Sequence, residues 1–252
     1  MMMQVVHPPE QAAPLFAGWE GGILRACLQG VMGEVYAPAG EKGSALASLG
    51  DFTFLAGVPR WDLAAFLPPA FRGESRILVP CGEGWDQCIQ TVWGARARPF
   101  TRYATKAPPT GFDRAHLACL ADGLGPGDVL CPIDGALYAQ CLANSWSRDL
   151  VSQFPTAAAY ARLGLGMAVV RQGTVVAGAS TYARYRAGIE IEVDTRPDCR
   201  RQGLAAAASA ALILRCLDRG LCPHWDAHTT LSLALAEKLG YRLERGYGAY
   251  SI

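Results

Sequence analysis

Strict alternation of apolar and polar residues marks Ile189–Thr195 as a strand. Ile189, Ile191 and Val193 fall on one face, and Glu190, Glu192 and Asp194 on the other. Pro197 ends it. The segment that follows, Leu204–Arg219, has almost no polar face in its first turns, the pattern of a helix packed hard onto a sheet. Upstream, Asp134 and Thr156 stand as caps of helices running to about Leu142 and over Ala157–Leu163, the second stopped by Gly164. Met167–Val170, the turn Arg171-Gln172-Gly173 and Thr174–Tyr182 make a hairpin pattern. Downstream, Leu221–Ala227 reads as a strand. Leu231–Leu239 reads as a helix closed by Gly240, and Tyr241–Arg245 as the start of a last strand.

The first part of the chain is less regular. Glu20–Gln29 has helical composition, Val31–Ala37 and Phe52–Val58 read as strands, and Ile77–Pro80 as a short strand. Asp86–Trp93 reads as a helix and Phe100–Ala104 as a closing strand. Lys106-Ala107-Pro108-Pro109-Thr110-Gly111 cannot continue a helix or a central strand. It divides the chain into an N-terminal α+β domain, residues 1–108, and a second domain, residues 109–252. No group of residues in the first part has the makings of a catalytic constellation.

Composition narrows the function classes. Of 252 residues, 51% are hydrophobic and 18% charged, enough to bury a core, which excludes wholesale disorder. The net charge of +1 argues against a broad nucleic-acid groove or a surface for anionic membranes. The longest uncharged apolar run, Leu204–Leu214, falls short of the roughly 20 residues a bilayer span needs. The 9 cysteines include no CxxC pair, which argues against a disulfide framework or a structural zinc site and fits a reducing cytoplasm. The opening MMMQVVHPPEQAAP lacks the basic and apolar regions of a signal peptide. No feature of the sequence fixes the oligomeric state.

The stretch richest in chemistry is the loop Arg200-Arg201-Gln202-Gly203-Leu204-Ala205 between that strand and the long helix. A loop feeding a helix N-terminus presents free backbone N–H groups, and the helix dipole adds partial positive charge there. Such a site suits a pyrophosphate. Gly203 lets the backbone approach it, Ala205–Ala208 keep the first turn slim, and Arg200 and Arg201 add charge at the mouth. Spacing alone leaves a second reading open, an arginine-rich solvated turn before a core helix.

Order along the chain favours the first reading. TRPDCRRQGLA resembles motif A of the GNAT superfamily of acetyl-CoA-dependent N-acetyltransferases, R/Q-x-x-G-x-G/A, with Arg200, Gly203 and Ala205 at its defining positions. LALAEKLGY, Leu233–Tyr241, resembles the superfamily's last helix and its L-G-F/Y turn. The longer run IEIEVDTRPDCRRQGLAAAASAALILRCLDRGLCPHWDA resembles the branch that includes zwittermicin-resistance-type acetyltransferases. The resemblance covers roughly Pro132–Tyr250. With no Gly-Lys-Ser/Thr, a P-loop is excluded, and Gly164-Leu165-Gly166 reads as a turn.

The resemblance implies an α/β mixed sheet whose central parallel strands splay apart, with acetyl-CoA in the cleft and no metal. Its pantetheine would pair with Ile189–Thr195, engaging Val193 and Thr195, and its pyrophosphate would sit on the N–H groups of Arg201–Ala205. The Val193 N–H, near an expected bulge in that strand, would polarise the thioester, and an amine of a small molecule would attack directly. Glu192 is the first candidate for the base and Glu190 the second; the alternative makes both solvated partners of Arg184 and Arg186. Asp226, inside the apolar CPHWDA, is costly to bury unless paired or functional.

Two departures from the family stand out. Ala236 occupies the position of the usual acid tyrosine, and Thr229 that of a frequent asparagine, leaving Tyr241, Tyr247 and Tyr250 as substitutes. His224 and His228 lie four apart, but in a strand that spacing is about 13 Å, too far for one ion. His224 fits better as a residue lining the acceptor cleft, and Cys199 reads as incidental. The first part echoes half a GNAT domain without a phosphate loop. It is either a degenerate GNAT-like domain that completes the acceptor pocket or an unrelated α+β accessory domain. The rival to an enzyme is a GNAT-fold module that binds CoA as a sensor without turnover.

Overall fold

The computed structural model describes residues 2–69, 71 and 75–252. They fall into two units, one of residues up to Arg102 together with Gly246–Ile252, the other Tyr103–Arg245. The division thus falls at 102/103 rather than at 108, and the chain's last residues return to the first unit. The reason is strand pairing, which a linear reading does not see. Tyr250 and Ser251 lie antiparallel to Leu78 and Ile77.

The first unit has strands β1 (Met3–Val5), β2 (Glu34–Pro38), β3 (Ser44–Leu49), β4 (Phe52–Gly57) and β5 (Ile77–Pro80), in that order across the sheet. Helices α1 (Gly22–Leu28), α2 (Trp61–Ala65) and α3 (Trp85–Trp93) accompany them. Pairing is antiparallel from β1 to β4, and β4–β5 is parallel. Leu46, Leu55, Leu63, Leu78, Trp85 and Ile89 form its core.

The second unit takes in the end of β6 (Arg98–Lys106), then α4 (Arg114–Ala121), β7 (Asp128–Pro132), α5 (Gly135–Ala143) and α6 (Ala157–Leu163). The hairpin β8 (Gly166–Arg171) and β9 (Thr174–Tyr185) follows, then β10 (Gly188–Thr195) and α7 (Leu204–Asp218). Two short strands, β11 (Cys222–His224) and β12 (Asp226–Ala227), come next, then α8 (Thr230–Lys238) and β13 (Arg242–Ser251). The helices begin where capping chemistry dictates. Asp134 Oδ1 accepts the Leu137 N–H at 2.9 Å, Thr156 Oγ1 that of Ala159 at 3.1 Å, and Thr229 Oγ1 that of Ser232 at 3.2 Å.

Five strands form a sheet in the order β11-β10-β9-β8-β7, antiparallel except for β10–β11. Its core is the alanine-rich face of α7, with Ala208, Leu212 and Ile213 packed with Val169, Ala177, Ile189 and Ile191. Small residues at Ala206–Ala208 let the helix axis approach the sheet closely, and bury the start of α7 from Leu204 on. Among the described residues no helix is long and apolar enough to cross a membrane.

Candidate functional site

The site is built where β10 loses its neighbour. β10 pairs with β11 at Gly188↔Cys222, Ile189↔Pro223 and Glu190↔His224. At Trp225 the chain changes partner. The Trp225 carbonyl accepts the Thr105 hydroxyl at 2.6 Å, and Asp226 and Ala227 pair with Ala104 and Tyr103 of β6. The single strand expected over Leu221–Ala227 is therefore two short ones, broken at the switch. Among the described residues, no strand pairs with β10 on that side beyond Glu190.

The phase of the exposed edge follows from one bond. Arg196 N–H donates to Val176 O at 2.9 Å, so the alternate residues Asp194 and Glu192 also turn their N–H groups toward β9. Ile191, Val193 and Thr195 turn theirs to the other side, where Val193 and Thr195 lie past the last rung shared with β11 and so on the open edge. Consistent with this, Val193 N–H donates to the Glu192 carboxylate at 3.2 Å. An irregularity exists near the expected bulge, but between Glu190 and Ile191, and the extra residue, Tyr182, is on β9.

Beyond Thr195 the backbone makes a short turn at Pro197–Cys199 and enters the arginine loop. Arg201 and Gly203 both have positive φ, 63° and 81°. Gly203 is the N-cap of α7, and the first helical bond is Ala207 N–H to Gly203 O at 3.1 Å. The N–H groups of Leu204, Ala205 and Ala206 precede that bond, so the helix cannot satisfy them itself. A Cβ built on Gly203 would meet nothing within 4 Å, so the space over this terminus is open. Arg200, Arg201 and Gln202 are exposed around it. The arrangement can hold an anion with backbone donors and two guanidinium groups.

Two arginines without a signal in the sequence brace the loop. Arg171 makes a bidentate pair with the buried Asp128 carboxylate at 2.7 and 2.9 Å, and donates to Gln202 Oε1 at 2.9 Å. The pairing holds the Asp128 carboxyl below the ordinary carboxylate range. Arg196 forks onto Asp198 at 2.7 and 3.1 Å. The buried Cys199 thiol lies between them, 3.3 Å from Arg196 and 3.8 Å from Arg171. The guanidinium groups that reach its sulfur are those of these two arginines. Arg171 sits at the end of a strand before a tight turn, a position that reads as solvated in sequence.

The polar face of β10 lies opposite the side on which Ile189, Ile191 and Val193 meet α7. Glu190 is only 3% exposed, and its Oε2 is 2.7 Å from His224 Nδ1. Asp194 is an addition to the sequence-derived candidates. Burial pushes its carboxyl up to about 7 from 3.8, with Asp149 adding to the rise and Arg200 opposing it. Asp226 is half-buried in β12. Of the alternative acids, Tyr241 is buried and donates to the Pro223 carbonyl at 3.1 Å, its hydroxyl held well above its usual pKa by that burial. Tyr247 and Tyr250 belong to the first unit, where Tyr250 donates to Asp86 at 2.9 Å. Ala236 is fully buried.

Asp194 makes stability depend on pH in a defined direction. A carboxyl raised in the folded state binds its proton more tightly there, so stability falls as pH climbs from about 4 to about 7. Asp194→Asn should therefore raise Tm at pH 8 and leave it nearly unchanged at pH 4. A shift of one unit corresponds to about 1.4 kcal/mol, which bounds the gain at a few kcal/mol. Thermal unfolding of both proteins across this range checks it; an equal effect at both pH values would contradict the assignment.

Comparisons with known proteins agree on one family. A family model described as GNAT acetyltransferase matches residues 13–250. A relative from Bacillus subtilis (strain 168), named uncharacterized N-acetyltransferase YdfB, is 24% identical over 250 residues, 97% of this chain and 84% of the relative. The crystal structure of a GCN5-related N-acetyltransferase-like protein from Streptococcus suis 89/1591 superposes with a TM-score of 0.89 at 48% identity, covering 96% of this chain and 98% of that one. A tandem GNAT protein from the clavulanic acid biosynthesis pathway shares the fold, with a TM-score of 0.50 at 9% identity over 100% of this chain and 98% of that one.

Proposed function

The chain belongs to the GNAT acetyltransferase family, and from that premise we propose that it transfers the acetyl group of acetyl-CoA to an amine of a small molecule by direct attack. The observation that carries this reading is the continuity of one open strand edge with one anion-binding loop. The edge N–H groups of Val193 and Thr195 lead to Arg200–Ala205 without interruption. The residues fit the substrate: a slim helix start at Ala205, open space over Gly203, and exposed Arg200 and Arg201 at the mouth.

In this reading the N–H groups of Arg201–Ala205 hold the pyrophosphate and the β10 edge aligns the pantetheine. The Val193 N–H donates to the thioester carbonyl, where negative charge grows as the amine attacks. Glu192, which accepts that same N–H at 3.2 Å, must turn away from it. Its carboxylate and that of Asp226 then face the acceptor's ammonium. The first unit is proposed as a degenerate GNAT-like domain without a phosphate loop, a reading the full-length match to the tandem GNAT protein supports. The sequence likeness to zwittermicin-resistance-type enzymes favours an aminated natural product as acceptor. All 9 cysteines are free thiols, which supports a reducing cytoplasm as the location.

Thermal unfolding with and without acetyl-CoA tests the binding half of the reading. At about 100 times its Kd a ligand adds roughly 2.7 kcal/mol, a rise of about 5–11 °C for a chain of this length. ATP and NAD should give none. No rise with any CoA ester would reduce the arginine loop to a turn. The buried Ala236 at the usual tyrosine position favours a second reading, a CoA-binding sensor without turnover. Release of free CoA in the presence of amines separates the two.

A further inference from the structure

We propose that His224 is the base that takes the acceptor's proton and that Glu190 is its positioning residue; this rests on the acetyltransferase reading above. The two face each other on the last rung that β10 and β11 share, Glu190↔His224, directly before the strands part. Both side chains therefore stand at the closed end of the divergence, on the same face as Glu192. Glu190 Oε2 lies 2.7 Å from His224 Nδ1. The Glu190 side chain is 4% exposed and that of His224 18%, so the carboxylate is sealed in while the ring keeps an outlet.

The pairing decides the ring's chemistry. An ionised carboxylate only accepts, so Nδ1 carries the hydrogen and Nε2 is left with a lone pair. An imidazole set this way is a base whose protonated form the carboxylate stabilises. The backbone on both sides of His224 is fixed. Tyr241 donates to the Pro223 carbonyl at 3.1 Å, and Trp225 Nε1 donates to Ser232 Oγ at 3.2 Å. Other titratable groups near the pair include Tyr241, which feels the Glu190 charge, Tyr185 and Cys222, with Glu192 two residues on along β10 and Asp226 two residues on from His224.

The step balances as follows. The acceptor ammonium gives one proton to His224 Nε2. The freed lone pair forms the C–N bond, and the C–S bond breaks with its electron pair on sulfur. A second nitrogen proton passes to that thiolate, and the imidazolium releases its proton to water.

The test uses the full chain, acetyl-CoA and three probe amines: spermidine, glucosamine and lysine. Free CoA and acetylated product are measured from pH 5.5 to 9. Wild-type protein that acetylates none of them overturns the acetyltransferase reading, and the base assignment falls with it. Given wild-type activity, His224→Ala should lower kcat by about 10²–10³-fold with KM for acetyl-CoA unchanged. It should also lose the rise in rate with pH and regain activity with added imidazole. His224→Asn keeps a donor toward Glu190 but has no basic nitrogen, so it should be as slow as His224→Ala. Glu190→Gln should lower kcat at least tenfold and shift the pH profile. Wild-type-like rates in His224→Asn would make the pair structural and overturn the proposal alone. Loss of stabilisation by acetyl-CoA in the slow variants would overturn it too. Should His224→Ala not fold, His224→Asn and Glu190→Gln decide.

Discussion

Gly203→Val should abolish stabilisation by acetyl-CoA while the unliganded protein remains folded. The two halves of that expectation have separate causes. Gly203 has φ of 81°, and an L-residue there costs about 1–2 kcal/mol, with a β-branched side chain at the upper end. For a chain of this length that lowers Tm by roughly 2–8 °C. The cost stays modest because a Cβ meets nothing within 4 Å. On the proposed reading, the same open space is where the pyrophosphate comes to reach the N–H groups of Leu204 and Ala205. Hydrogen bonds to a charged group are worth about 1.5–3 kcal/mol each, so losing two weakens binding by at least 10²-fold. Calorimetric titration with acetyl-CoA, beside Tm with and without it, reads both effects. Gly203→Ala, with one added methyl, should fall between wild type and Gly203→Val. A Gly203→Val protein that acetyl-CoA stabilises like wild type would remove the loop from the binding site.

Much of the second unit was legible because its local signals agree with its tertiary roles. Thr156 and Gly164 bracket a helix that begins and ends where they place it, Ala157–Leu163. In the first unit, too, Ile77–Pro80 is a strand over the expected residues. The apolar face of β10 is the one that meets α7, as its alternation required. The failures share a different cause. β3, Ser44–Leu49, is 6 residues of small and apolar side chains, all buried, with no alternation to give it away. α4, Arg114–Ala121, has its cap in Asp113, which accepts the Ala115 and His116 N–H groups at 3.0 Å, yet it follows the Pro-Pro break, where the pattern reads as linker. β7 gives no signal either, and with it goes the Asp128 partner of Arg171. On the polar face of β10, Glu190 departs from the alternative of a solvated carboxylate, because a parallel neighbour seals it. Register between β10 and β11 joins residues 34 apart in sequence, and no local pattern encodes it. The pairing on which the proposed chemistry depends is therefore the one relation that sequence reading could not supply.

That relation is itself open to attack at Gly188. A Cβ built there would sit 2.1 Å from the Cys222 carbonyl oxygen and 2.5 Å from the Tyr185 hydroxyl. The first obstacle is backbone and cannot swing aside. Gly188↔Cys222 is the opening rung of the β10–β11 ladder, and Cys222 N–H donates to Ala187 O at 2.8 Å beside it. Gly188→Val must push the two strands apart, adding overpacking of about 1–3 kcal/mol to the loss of ladder bonds worth about 1 kcal/mol each. A total near 3 kcal/mol lowers Tm by roughly 6–12 °C. Gly135→Ala serves as the control. Nothing lies within 4 Å of its Cβ, its φ is ordinary, and it opens α5, so it should hold or raise Tm. The functional consequence follows from distance along the strand. Glu190 and His224 stand on the third rung of the same short ladder, so prying open the first displaces their carboxylate and imidazole from the 2.7 Å contact. Amide exchange at Cys222 and the imidazole Nδ1–H resonance of His224 would report the loss directly, at a temperature where the variant is still folded. The arginine loop lies beyond the far end of β10, about 20 Å or more away by strand rise, so acetyl-CoA should still stabilise Gly188→Val. A variant that keeps the His224 resonance but loses acetyl-CoA binding would reverse this order of dependence.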